Sequence, residues 1–171
     1  MQVLARVLGE GKSSRLYESL VKDKELATDV KIYPEMRIGP SGYYVEAMLR
    51  PGIDPDKAVK AIDAVLERAR EQEISPAELA KARKMFRREM IGKRQTAYST
   101  AIQIGHYEGL FRDPSLINTA YDKFSVVDPK RVKESAQKYL NPRTRAVLIT
   151  LPDNEGQSPQ GPSKPSVKDK P

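Results

Sequence analysis

Residues Leu8 to Ile38 read LGEGKSSRLYESLVKDKELATDVKIYPEMRI, and the change of period inside this stretch decides the fold. Gly9 and Gly11 bracket Glu10 where a helical pattern stops. Ser13 or Ser14 then offers a hydroxyl to cap a second helix, and Leu16, Leu20 and Val21 recur at helical spacing to about Lys24. From Ala27 the period drops to two. Val30 and Ile32, followed by Met36 and Ile38, share one side of a strand in which Pro34 marks an edge or a bulge.

Upstream, Val3, Leu4, Val7 and Leu8 form an apolar stripe that already exists at the first residues. This reads as the last turns of a helix whose start is missing, the pattern of a domain fragment. Downstream, Gly39-Pro40-Ser41-Gly42 is a turn cluster and Tyr43 to Leu49 a second strand, so the pair predicts an antiparallel hairpin. Asp54-Pro55 opens a helix to about Glu71, with a cap and a first-turn proline. Ser75-Pro76-Ala77-Glu78 adds the glutamate of a reciprocal capping box. Helical composition then continues to about Phe111, with Gly92, Gly105 and Gly109 as points of bending. Asp113-Pro114 and Asp128-Pro129 repeat the start signal, Asn141-Pro142 stops the last helix, and Arg145 to Leu151 (RAVLITL) predicts a returning strand. The fold class is α+β: an antiparallel sheet with helices packed mainly on one face. The domain spans residues 1–152, and residues 153–171, rich in Pro, Ser, Gly and Lys, read as a disordered tail.

With 171 residues, 39% of them hydrophobic, the chain is long enough to bury the core of one domain. No apolar run approaches the ~20 residues that span a bilayer. The chain has no cysteine, which removes disulfides, thiolate metal sites and a thiol nucleophile. The net charge of +7 is concentrated. From Lys81 to Arg94 seven basic residues stand against one acid, Glu89. Such a segment is either a phosphate-tracking face or the solvated side of a long helix. The absence of a glycine-rich RNA-binding motif or an interleaved aromatic platform favours the solvated side.

The order of these motifs carries a resemblance. LGEGKSSRLYESLVKDKELATDV is similar to the L-G-G-G-x-S-S-R-L-x-x-x-L-R-x-x-x-G-L-A-Y-x-V stretch in the second, non-zinc domain of insulinase-type (pitrilysin) zinc metallopeptidases and mitochondrial processing peptidases. The hairpin, the P-G-I-D-P helix start, the I-S-P-A-E-L-A-K-A-R-K entry into a long helix and the N-P-x-x-x-A-V-L-I-T-L-P close extend it over residues 2 to 152. The family's domain begins with a strand and half a helix that this sequence lacks. The resemblance implies that zinc sits on an H-x-x-E-H motif in a separate N-terminal domain and that no cofactor binds here. The one histidine, His106, does not make the three-ligand set a catalytic zinc requires.

The resemblance also implies an arginine and a tyrosine in this domain that hold substrate across a clam-shell chamber. Their positions fall on Val21 and Thr28. An aliphatic side chain has no donor to polarise a carbonyl, and threonine lacks the reach of a phenol, so no catalytic, cofactor-binding or metal residue is expected in this chain. Arg15 of the S-S-R-L motif reads as structural, its stem packing the helix. The expected function is the non-zinc half of a zinc endopeptidase, walling a peptide chamber beside a zinc-bearing domain or a second subunit of the same family. A non-catalytic scaffold is the alternative, and nucleic-acid binding through residues 81–94 a third. The family's secreted and periplasmic members point to a bacterial envelope setting.

Overall fold

The structure is a computed structural model that describes residues 1–35, 37–39 and 41–151. The predicted tail, residues 153–171, lies outside the described residues. The chain runs through α1 (Gln2–Gly9), α2 (Arg15–Tyr17) and a π-helical turn (Glu18–Asp23) into the hairpin of β1 (Ala27–Pro34) and β2 (Tyr43–Leu49). Five helices follow: α3 (Pro55–Glu71), α4 (Pro76–Gly92), α5 (Ala97–Phe111), α6 (Leu116–Ser125) and α7 (Pro129–Tyr139). This is the α+β class expected from the change of period.

The core forms because α1 is apolar on nearly all sides. Val3, Leu4, Ala5, Val7 and Leu8 are all buried, which places this short helix against β1, α2, α4 and α7. The hairpin pairs antiparallel with Val30 opposite Ala47, Ile32 opposite Val45 and Pro34 opposite Tyr43. Its apolar face, with Ala27, Val30 and Ile32 from β1 and half-buried Val45, Ala47 and Leu49 from β2, packs on the helices. Gly9 is where helix and strand touch. A Cβ there would stand 2.1 Å from Ile32 Cγ2 and 2.9 Å from the Ile32 backbone nitrogen, so no larger residue fits without moving β1.

The start signals act largely as read. Asp54 accepts from the Asp56 amide at 3.0 Å, and Asp128 from the Arg131 amide at 2.7 Å. Ser75 and Glu78 form the reciprocal capping box. At Asp113 the helix begins two residues late, because the carboxylate bonds the Ser115 amide and hydroxyl in a turn of its own. Ser14 holds the predicted cap position of α2, but its hydroxyl is buried and makes no cap bond. Ser13 instead accepts from Lys81 Nζ at 2.5 Å.

Three expectations are corrected. The helix read from Ser75 to Phe111 is two helices, broken just after Gly92 at Lys93–Gln95; Thr96 restarts it by accepting from the Ser99 amide at 3.1 Å. The first strand stops at Pro34, four residues early, and its irregularity lies between Ala27 and Asp29. Residues 145–151 form no strand. Arg145 is extended and pairs with Asp63, but the segment has no ladder partner among the described residues, and Leu148 is 91% exposed. A β-branched run is a strand only when another strand accepts its hydrogen bonds.

Candidate functional site

Because side chains alternate across a strand, the register that buries Val30 and Ile32 turns Lys31 and Tyr33 outward. On β2 the same rule exposes Tyr44, Glu46 and Met48. Helices cover one face of the hairpin and leave this other face open. Tyr33 and Tyr44 stand directly opposite each other, and their rings stack with centroids 5.7 Å apart and planes 21° from parallel. The Tyr33 hydroxyl donates to Glu46 Oε1 at 2.5 Å, and that bond pushes the phenol above its ordinary value. At the turn end Glu35 pairs with Arg37 at 2.5 Å, which lowers the Glu35 carboxyl. Met48, 68% exposed, extends the apolar area.

Chemically this face is a platform. Two stacked rings and a thioether offer apolar area to any side chain laid across them, and Glu46 and Glu35 offer carboxylate acceptors. Tyr43, by contrast, points inward, where burial raises its phenol and its hydroxyl finds no partner.

Val21 lies in the π-helical turn, half-buried and packed against the core. Thr28 is exposed beside the β1 irregularity, its hydroxyl donating to the Met48 carbonyl at 3.2 Å. Thr28 thus borders the open face, while Val21 is turned toward the interior. His106 is exposed on α5 with its ring edge-on to Tyr107. Among the described residues no group of three or more His, Asp or Glu side chains converges to hold a metal ion.

The Arg15 side chain is 23% exposed and is held by an ion pair. Its guanidinium grips Glu78 with two bonds, Nε at 2.6 Å and Nη2 at 2.9 Å, tying α2 to the first turn of α4. A second arginine, Arg6, lies beside the stacked rings of Phe86 (4.8 Å) and Phe124 (5.5 Å) and pairs with Glu10 and Glu89. It stands in a groove of about 1050 Å³ between α1, β1 and helices α4 to α7. Neither the groove nor the tyrosine pair was legible from motifs. The groove is built by long-range packing, but the tyrosine pair follows from the hairpin register once Val45 is assigned to the buried side.

Comparison with known proteins agrees with the fold. A candidate zinc protease from Bordetella pertussis Tohama I superposes with a TM-score of 0.76 at 26% identity, covering 85% of this chain and 79% of that one. The inactive peptidase domain of a candidate zinc protease from Bordetella parapertussis gives 0.76 at 25% identity, covering 85% and 78%. A protease from Helicobacter pylori gives 0.74 at 26% identity; the match covers 82% of this chain but 34% of that longer one. No curated protein gives a significant match. The sequence model of the Peptidase M16 inactive domain matches residues 1–86, half of the chain. Motif order, fold and family model agree, and the chain belongs to the Peptidase M16 inactive-domain family.

Proposed function

We propose that this chain, spanning one domain over residues 1–152, is the wall of a peptide chamber and holds unfolded substrate for a zinc-bearing domain. In members of the family the inactive domain is paired with an N-terminal catalytic domain, and zinc belongs to that other domain. The observation that carries the reading is the open hairpin face. A stacked tyrosine pair, two carboxylates and an exposed methionine lie on one side of a sheet whose other side is sealed by helices. Extended peptide presents alternating side chains that such a face accommodates with little sequence preference. Val21 and Thr28 contribute no charged donor, so bond cleavage is left to the partner domain, and this chain supplies binding and orientation.

The test is a titration of the chain with a fluorescein-labelled reduced, carboxymethylated casein fragment, followed by anisotropy. Saturable binding that weakens about tenfold in Tyr33→Ser/Tyr44→Ser supports the reading. No binding by the native chain, together with no rise in casein hydrolysis when it is mixed with a zinc-bearing M16 domain, would leave the scaffold reading in its place.

A further inference from the structure

The amphipathic division of α4 leaves one side exposed and without an ion pair among the described residues. Leu79, Ala82, Phe86 and Met90 are buried and fall on one side of the helix. The opposite side carries Lys84, Arg87, Arg88 and Ile91, all exposed, and continues into the turn at Arg94. The steps 84, 87, 91 and 94 alternate between three and four residues, the spacing along which one helix meets another. Lys84, Arg87, Arg88, Ile91, Gly92 and Gln95 enclose a shallow cavity of about 420 Å³, with Ile91 58% exposed.

The charge on this side is uncompensated. Among the described residues no ion pair reaches Lys84, Arg87, Arg88 or Arg94, while Glu89, the only acid in the segment, is engaged by Arg6 and Lys93. Arg87 is steadied by the Tyr121 ring, 6.0 Å from its guanidinium carbon. The ring itself stacks on Phe86 and is not presented for base stacking. A row of cations with an aliphatic centre at helical spacing has as its complement carboxylates and one aliphatic residue at the same spacing.

We infer that the exposed side of α4 docks an acidic amphipathic helix of a partner protein, carboxylates on Lys84, Arg87, Arg88 and Arg94 and an aliphatic side chain over Ile91. This surface is separate from the hairpin face, and the inference does not depend on the peptide-chamber reading.

The experiment uses a fluorescein-labelled helical peptide of Glu and Ala with leucine every seventh position, stapled by one Glu–Lys side-chain lactam. It is compared with a scrambled peptide of equal composition, a single-stranded oligonucleotide and phosphatidylserine vesicles. Expected is binding of the ordered peptide at least about tenfold tighter than the scrambled one, weakening with salt. Lys84→Glu/Arg88→Glu abolishes it, and Ile91→Ser weakens it while leaving the salt dependence in place. Unchanged far-UV circular dichroism shows that the variants fold. Equal affinity for the scrambled peptide, tighter binding to oligonucleotide or vesicles, or insensitivity to charge reversal overturns the inference.

Discussion

Replacing Glu78 with glutamine isolates one ion pair from one cap. Glu78 serves two partners: Arg15 across α2, and the Ser75 amide, which it accepts at 2.8 Å while Ser75 Oγ accepts from the Glu78 amide at 3.2 Å. Glutamine at this position keeps one acceptor oxygen for the Ser75 amide and so the capping box, but it puts an NH2 donor where Oε1 accepts from Arg15 Nε, so the charge and that hydrogen bond are lost together. The hydrogen bonds from Arg15 are the main cause that lowers the Glu78 carboxyl from 4.5 to about 2, working against the desolvation that would raise it. Taken at face value that depression corresponds to about 3.4 kcal/mol. The side chains of Arg15 and Glu78 are 23% and 29% exposed, and solvent screening at such a site reduces the figure to about 1–2 kcal/mol. The folded value lies below the unfolded one, so the stabilisation is complete above about pH 4.5 and is lost as pH falls toward 2. Urea unfolding followed by circular dichroism is the assay. At pH 7 Glu78→Gln should be less stable by about 1–2 kcal/mol, and the gap should narrow steadily between pH 5 and pH 2.5. A gap that is the same at both ends of that window would refute the assignment of the stabilisation to the Arg15 charge pair.

The close approach of α1 to β1 makes Gly9→Ala destabilising by about 1–3 kcal/mol in thermal melts, and Ile32→Ala should relieve part of that loss in the double mutant. Arg6→Ala removes a cation that packs beside the stacked Phe86 and Phe124 rings and deprives Glu89 of a partner. A loss of about 2 kcal/mol is expected in urea unfolding, and a neutral result would show that the groove around it relaxes freely. Metal analysis of the purified chain should find no stoichiometric zinc, and a peptidase assay no activity; a one-to-one zinc content would overturn the assignment of chemistry to another domain.

Local signals made much of the fold legible. The glycine stop after Leu8, the capping box at Ser75 and the aspartates at 54 and 128 are each satisfied within a few residues, so composition and spacing contain what is needed to place them. Gly92 marked a bend, but a full break there was not legible, because Lys93, Arg94 and Gln95 are all good helix formers and the cap that restarts α5 is a threonine with no proline behind it. Arg145 to Leu151 failed for the opposite reason: its propensity is strong, but pairing is a property of two segments. The candidate face was half legible. Alternation in Tyr43–Leu49 marks an outward side, yet only the register that sets Tyr33 against Tyr44 reveals the stacked pair.

The π-helical turn has a bearing on how this chain tolerates changes of length. Its closing bond runs from the Lys24 amide to the Ser19 carbonyl at 3.1 Å, one residue wider than an α-helical ring. On either side Leu20 and Ala27 are fully buried, while Lys22, Asp23, Lys24 and Glu25 between them are exposed. Removing Lys22 or Asp23, which lie inside that ring, narrows it to α-helical size and leaves both buried anchors in place. The same deletion inside α3 would rotate everything beyond it by about 100° and expose Val65. The segment that carries Val21 is therefore a part of the helical framework with a residue to spare, which α3 is not.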